Sequence, residues 1–267
     1  MRSLLFVPGN RPDRFAKALA AGADTVIIDL EDAVGPEDKG LAREHITAFA
    51  GEHPQATFMV RVNGAQTAWF DDDLTWCQSL SAVAGVVLPK AESASQVAEA
   101  AHTGKPVMPI IESARGVLAM SELAKQAHVQ RLSFGYLDLM LELGTTPDTG
   151  AARTVLDQVR VQLLVQSAAC GLAAPIDGVH PDFRDTTGLQ HLAQHVRNMG
   201  FGGMLCIHPD QVAVINGVFQ PDAAQLAWAQ QVVDAANNTR QAAFQLDGQM
   251  IDAPVIARAR RLLAQSA

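Results

Sequence analysis

Eight short apolar runs, spaced along the chain and separated by longer helical patterns, constrain this sequence more than any other feature. They lie at residues 4–7, 25–30, 58–62, 85–88, 107–111, 132–134, 176–179 and 204–207. None shows the strict apolar–polar alternation of a sheet with one wet face, so each reads as a parallel strand buried on both sides. The intervening segments, such as 93–101 and 153–170, carry helical periodicity; in the second, Leu156, Val159, Leu163 and Leu164 recur on one face. Eight strand–helix units in roughly 220 residues fit a (β/α)8 TIM barrel, which typically takes about 250. An open doubly wound sheet is the competitor, but its glycine-rich dinucleotide loop is missing.

With 267 residues and 48% hydrophobic content, the chain can bury one large core. The predicted barrel occupies 1–220, and a C-terminal helical cap or interface segment occupies 221–267. In that segment Asp222 is a good N-cap for a helix through about Arg240. A loop is expected over Gln245-Leu246-Asp247-Gly248-Gln249, then a short basic helix from near Pro254. A net charge of −8 without a basic stripe argues against nucleic-acid binding. Three cysteines, far apart and with no C-x-x-C pair, point to a reduced cytoplasmic protein without a zinc site. No run reaches membrane-spanning length, and the N-terminal run is too short for a signal peptide.

In such a barrel the chemistry gathers at the C-terminal strand ends. Those ends supply Asp29, Glu31 and Asp32; Arg61 and Asn63; Lys90; Glu112, Ser113 and Arg115; Asp138; Asp177; and His208. Each has a plainer reading. Arg61 and Lys90 can simply neutralise acids; Asp32 can cap a helix or face solvent; His208 can merely precede a helix; Arg115 can be an ordinary exposed side chain. Glu112 is different, because an acid directly after an apolar strand is costly to bury unpaired. A metal shared with Asp138, one β/α unit later, answers that cost, and two carboxylates with open positions are a minimal Mg²⁺ site.

The motifs Ser3-Leu4-Leu5-Phe6-Val7-Pro8-Gly9, Asp29-Leu30-Glu31-Asp32-Ala33-Val34, Arg61-Val62-Asn63, Val87-Leu88-Pro89-Lys90 and Ile111-Glu112-Ser113-Ala114-Arg115-Gly116 run in order. Phe134-Gly135 with Asp138-Leu139, Asp177-Gly178-Val179 with Asp182-Phe183-Arg184-Asp185, Ile207-His208-Pro209 and Met250-Ile251-Asp252-Ala253-Pro254 complete the set. Together they make the chain similar to the citrate lyase β subunits, malyl-CoA lyases and citramalyl-CoA lyases. The resemblance implies a Mg²⁺-dependent barrel that cleaves or forms a C–C bond beside a coenzyme A thioester, yielding acetyl-CoA and a 2-keto acid. It implies Glu112 and Asp138 as metal ligands, Glu112 and Arg61 at the substrate, and Asp252 as the acid that handles the acetyl proton in a neighbouring subunit's site. Glu31 or Asp29 is expected to hold metal-bound water from behind. A homotrimer or hexamer is implied too. For coenzyme A phosphates, the loop after the first strand offers Arg11, Arg14 and Lys17 beside a helix N-terminus. The sequence departs from the family pattern at Asp13, Leu137 and Asp210. By local sequence alone, Asp252-Ala253-Pro254 reads as a helix cap. A CoA-independent aldolase, a thioesterase and a carrier-dependent citrate lyase subunit remain the alternatives.

Overall fold

A computed structural model describes residues 1–239 and 241–264. Eight strands close into a barrel in sequence order: β1 (Ser3–Pro8), β2 (Thr25–Asp29), β3 (Phe58–Arg61), β4 (Val83–Leu88), β5 (Val107–Ile111), β6 (Ser133–Phe134), β7 (Ile176–Asp177) and β8 (Gly203–Cys206). Every neighbouring pair is parallel, and β8 returns to β1 through Ser3 opposite Met204. The (β/α)8 architecture expected from the apolar runs is therefore present.

The barrel interior is packed by Leu4, Ile27, Met59, Val87, Met108, Ile110, Ile176 and Leu205. Side chains alternate across a strand, so the inward positions 27, 59 and 110 carry on to 29, 61 and 112 at the C-terminal rim. The same parity that fills the core delivers Asp29, Arg61 and Glu112 to the mouth. Outside lie α1 (Phe15–Leu19), α2 (Lys39–Glu52), α3 (Phe70–Ser79), α4 (Ala94–Ala101), α5 (Ala114–Leu123), α6 (Tyr136–Leu143), α7 (Gly150–Ala169), α8 (Thr186–Met199) and α9 (Pro209–Phe219). Ser93 and Gln96 form a reciprocal capping box on α4, and Ser113, Thr149 and Asp185 cap α5, α7 and α8. Thr149 starts α7 three residues ahead of the predicted 153, because its hydroxyl takes the Ala152 N–H.

The chain forms two compact units, Met1–Asn216 and Gly217–Ala267. In the second, α10 (Ala223–Asn238) begins with a capping box between Asp222 and Gln225. It ends at Asn238; Arg240, the predicted terminus, lies outside the described residues. The loop expected over 245–249 is instead a hairpin, β9 (Phe244–Leu246) paired antiparallel with β10 (Gln249–Ile251). Asp247 and Gly248 turn it with φ of 48° and 77°, the positive values a two-residue hairpin turn requires. Helix α11 (Ala253–Ala264) follows. Ala229, Val232, Ile251 and Ala259 form the small core of this unit, with Trp228, Phe244 and Leu246 packed around them. No described helix is long and apolar enough to cross a membrane.

Candidate active site

The mouth is built from Asp29, the last residue of β2, which is 1% exposed. Its oxygens receive four donors: Arg61 Nε and Nη2, each at 2.7 Å, Glu31 N at 2.9 Å and Ala33 N at 3.1 Å. A carboxylate so occupied has no lone pairs left over, so Asp29 holds Arg61 and shapes the turn that presents Glu31. Of the two acids expected to hold metal-bound water, Glu31 or Asp29, this leaves Glu31. Buried Lys39 braces the same turn, donating Nζ to the carbonyls of Leu30 at 2.7 Å and Glu31 at 2.8 Å; burial lowers its pKa. Lys39 was not foreseen, because its partners are backbone oxygens and leave no trace in the sequence.

Arg61 sits over the Phe6 ring, 4.8 Å from its centroid, and its remaining terminal nitrogen, Nη1, is 3.0 Å from Glu31 Oε2. That contact lacks hydrogen-bond geometry, and Glu31 Oε2 is a buried oxygen without a hydrogen-bond partner among the described residues. Burial, the largest influence, raises the Glu31 pKa against the pull of Arg61 and Lys90. Lys90 Nζ donates to Glu31 Oε1 and lies 3.6 Å from Asp32 Oδ1. Its own backbone is left-handed, at φ 48°, a conformation uncommon for a non-glycine residue. That turn aims the Lys90 N–H at Glu112 Oε1, 2.7 Å away.

Glu112, 6% exposed, follows β5 directly. Desolvation first, then the charge of Glu31 and that of Asp138, push its pKa up to about 8 against the Lys90 N–H and Arg61. Gly135, between β6 and α6, abuts it: a Cβ there would collide with the Glu112 carboxylate and Cβ. Asp138 lies in the first turn of α6, exposed, and makes no hydrogen bond or ion pair among the described residues. Arg61, Glu31, Lys90, Glu112 and Asp138 thus act on one another.

This cluster is short of positive charge: it holds an orphaned carboxylate oxygen and two acids with raised pKa. An oxygen-seeking divalent cation fits that deficit. Among the described residues no three His, Cys, Asp or Glu side chains are gathered as a ready metal cage. Glu112 and Asp138 could hold such an ion only if water or substrate oxygens supplied its other ligands, as is usual for Mg²⁺.

Other expected residues make contacts of their own. Arg14 and Lys17 are exposed on and before α1 and make no ion pair among the described residues, whereas Arg11 is paired with Asp13 at 2.9 Å. Because α1 has only five residues, its N-terminus adds little to phosphate binding. Arg115 is exposed, with Glu92 4.0 Å away. His208 precedes α9 and stacks on Phe183, centroids 4.6 Å apart. In the second unit Asp252 caps α11, its Oδ1 accepting the Val255 N–H at 3.3 Å. Asp177 faces away from the mouth, where Arg160 of α7 donates to it twice at 3.1 Å.

The family model for HpcH/HpaI aldolase/citrate lyase matches residues 2–209. A citrate lyase subunit beta-like protein of Mycobacterium tuberculosis is 38% identical over 98% of this chain and 94% of its own length. A (3S)-malyl-CoA thioesterase of Cereibacter sphaeroides is 33% identical over 99% of this chain and 94% of its own. Among solved structures, Mycobacterium tuberculosis CitE in complex with magnesium, acetoacetate and coenzyme A superposes with a TM-score of 0.85 at 36% identity, covering 99% of this chain and 97% of that one. The same protein has been solved with magnesium and pyruvate, at a TM-score of 0.78 and 33% identity over 98% of this chain. With the barrel, the acid-rich mouth and these likenesses in agreement, the chain belongs to the HpcH/HpaI aldolase/citrate lyase family.

Proposed function

We propose that this family member is a Mg²⁺-dependent carbon–carbon lyase acting on a 3-hydroxy-3-carboxyacyl-CoA thioester, such as malyl-CoA or citramalyl-CoA, to give acetyl-CoA and a 2-keto acid. The observation that carries the reading is buried Glu112, its pKa raised to about 8 beside Glu31 and Asp138, at a mouth that also holds Arg61. The magnesium, acetoacetate and coenzyme A bound by the Mycobacterium tuberculosis relative support the cofactor and the substrate class.

In this reading Glu112 and Asp138 hold the ion, which when bound polarises the substrate hydroxyl and carboxylate as a Lewis acid. Arg61 keeps its plane through Asp29 and turns Nη1, the nitrogen Asp29 does not use, toward the substrate oxyanion. Removing one such donor typically costs about 3 kcal/mol of transition-state stabilisation. Glu31 keeps Lys90 at the mouth and offers Oε2 to an ordered water. The substrate hydroxyl gives its proton to a water molecule, the bond between C2 and C3 breaks, and the electron pair passes to the thioester as an enolate. Asp252 of a neighbouring subunit then delivers a proton to C2, or removes it in the condensation direction. Arg14 and Lys17, both exposed, meet the coenzyme A phosphates.

A homotrimer or hexamer completes the proposal. Exposed Leu118 on α5, Leu141 on α6 and Val165 on α7 support a subunit face on the barrel unit. The three cysteines are unpaired, which agrees with a cytoplasmic enzyme. The Cereibacter sphaeroides relative supports a second reading, in which water takes the thioester and coenzyme A is released by hydrolysis.

One assay tests both. Purified protein is offered malyl-, citramalyl- and citryl-CoA with Mg²⁺, following keto acid and free thiol separately. Keto acid without free thiol, abolished by chelator, is expected of the lyase. Free thiol without keto acid assigns the thioesterase. Silence on all three in folded, metal-loaded protein would sink the proposal and favour a carrier-bound substrate or a CoA-independent aldolase.

A further inference from the structure

Behind the mouth lies a buried cluster that the reaction does not use. Arg160 of α7, 2% exposed, donates Nε and Nη2 to Asp177 at 3.1 Å and Nη1 to Asp157 at 2.8 Å. Asp157 in turn meets His195 Nε2 at 3.0 Å. The guanidinium also lies against two rings, 5.5 Å from the Phe134 centroid and 5.6 Å from that of Tyr136.

Those two aromatics flank Gly135. Phe134 and Tyr136 rest on Arg160 on the helix side, while Gly135 abuts Glu112 on the mouth side. Tyr136 is further tied through its hydroxyl to the Val179 carbonyl at 2.7 Å. Asp138 follows two residues later and has no hydrogen bond or ion pair of its own among the described residues. Its place beside Glu112 follows from the backbone of α6, which starts directly from this turn.

We infer that Arg160 is a positioning residue for the Glu112–Asp138 pair, holding the Phe134-Gly135-Tyr136 turn so that both carboxylates reach one cation. The inference rests on the metal reading proposed above. Supporting groups behind a metal site typically contribute about 10- to 100-fold in affinity, and Arg160 does so without touching the ion. Lysine at this position loses the two-pronged grip on Asp177 and the planar contact with the rings.

The test is Mn²⁺ affinity, read by electron paramagnetic resonance on the full-length protein, with melting temperature measured alongside. Arg160→Lys is expected to weaken Mn²⁺ binding about tenfold while the protein stays folded at the assay temperature. The double variant Arg160→Met with Asp177→Asn, which leaves no buried charge unpaired, is expected to show the same loss. Asp157→Asn, whose carboxylate reaches solvent, keeps the fold and loosens Arg160 from one side; about a two- to threefold loss is expected there. Affinities within twofold of the parent in whichever of these variants fold overturn the inference. Glu112→Gln separates the two levels. If it retains parental Mn²⁺ affinity, the metal reading itself fails and the positioning role with it. If it loses binding while the Arg160 and Asp157 variants keep theirs, only the positioning role fails.

Discussion

Arg61 and Asp29 face each other as a two-pronged pair, Nε to Oδ1 and Nη2 to Oδ2, both at 2.7 Å. The pair is largely shielded, with Arg61 only 13% exposed through its side chain. Its geometry leaves one guanidinium nitrogen, Nη1, outside the pair and 3.0 Å from Glu31 Oε2. A fixed plane with one corner not held by the pair is what distinguishes an orienting arginine from a mobile surface charge.

Arg61→Lys is therefore expected to fold but to lose about two orders of magnitude in kcat/KM, because a lysine cannot occupy both Asp29 oxygens and still present a donor outward. Steady-state kinetics with saturating Mg²⁺ check this. Activity within threefold of the parent would show that Arg61 only neutralises Asp29 and Glu31.

Glu112 makes the stability of the metal-free protein depend on pH. Its ordinary pKa of 4.5 is raised to about 8 in the fold. Below 4.5 the group is protonated in both folded and unfolded chains, and the folded state pays no penalty. Between 4.5 and about 8 the unfolded chain releases the proton while the fold retains it, so stability falls as pH rises. Melting curves in chelator should show a fall through this window that is diminished in Glu112→Gln. Mg²⁺ should raise the melting temperature more at pH 8.5 than at pH 6 (both roughly placed around that titration), since the ion favours the ionised form.

Gly135→Ala tests the packing of the turn on Glu112. The added methyl meets the Glu112 carboxylate and Cβ, so either the turn or Glu112 must move. A loss of about 1–3 kcal/mol in stability is expected, together with weaker Mg²⁺ binding measured by calorimetry. Unchanged affinity would mean that the ion does not depend on Glu112 as it sits here.

Asp252 has one observed contact and one proposed chemical role, and one substitution can separate them. Its carboxylate caps α11 through the Val255 N–H, and asparagine is as good a cap. Asp252→Asn should leave the melting temperature unchanged yet abolish proton transfer to the acetyl carbon, read as lost deuterium exchange into acetyl-CoA. Asp252→Ala should lose about 1 kcal/mol in addition. Normal exchange in Asp252→Asn would remove this residue from the chemistry.

The sequence by itself determined the barrel. Strands buried on both faces must be apolar throughout, so β1 to β8 stood out as eight runs, and alternation from Ile27, Met59 and Ile110 carried Asp29, Arg61 and Glu112 to the rim. It determined the Asp222 cap as well, which acts on an amide three residues away; Ser93 and Ser113 cap α4 and α5 in the same way and became evident only in the structure. The hairpin at Asp247-Gly248 was legible in that dipeptide yet was read as a loop, because three-residue strands carry almost no periodicity. What only the tertiary structure decided was which acids are occupied. Asp29 is saturated by Arg61, 32 residues away, and Asp177 by Arg160, 17 residues away, whereas Glu31 Oε2 has no hydrogen-bond partner among the described residues and Glu112 is desolvated. A carboxylate's chemistry depends on how many donors reach it and how much water is excluded, and neither quantity is local in the chain.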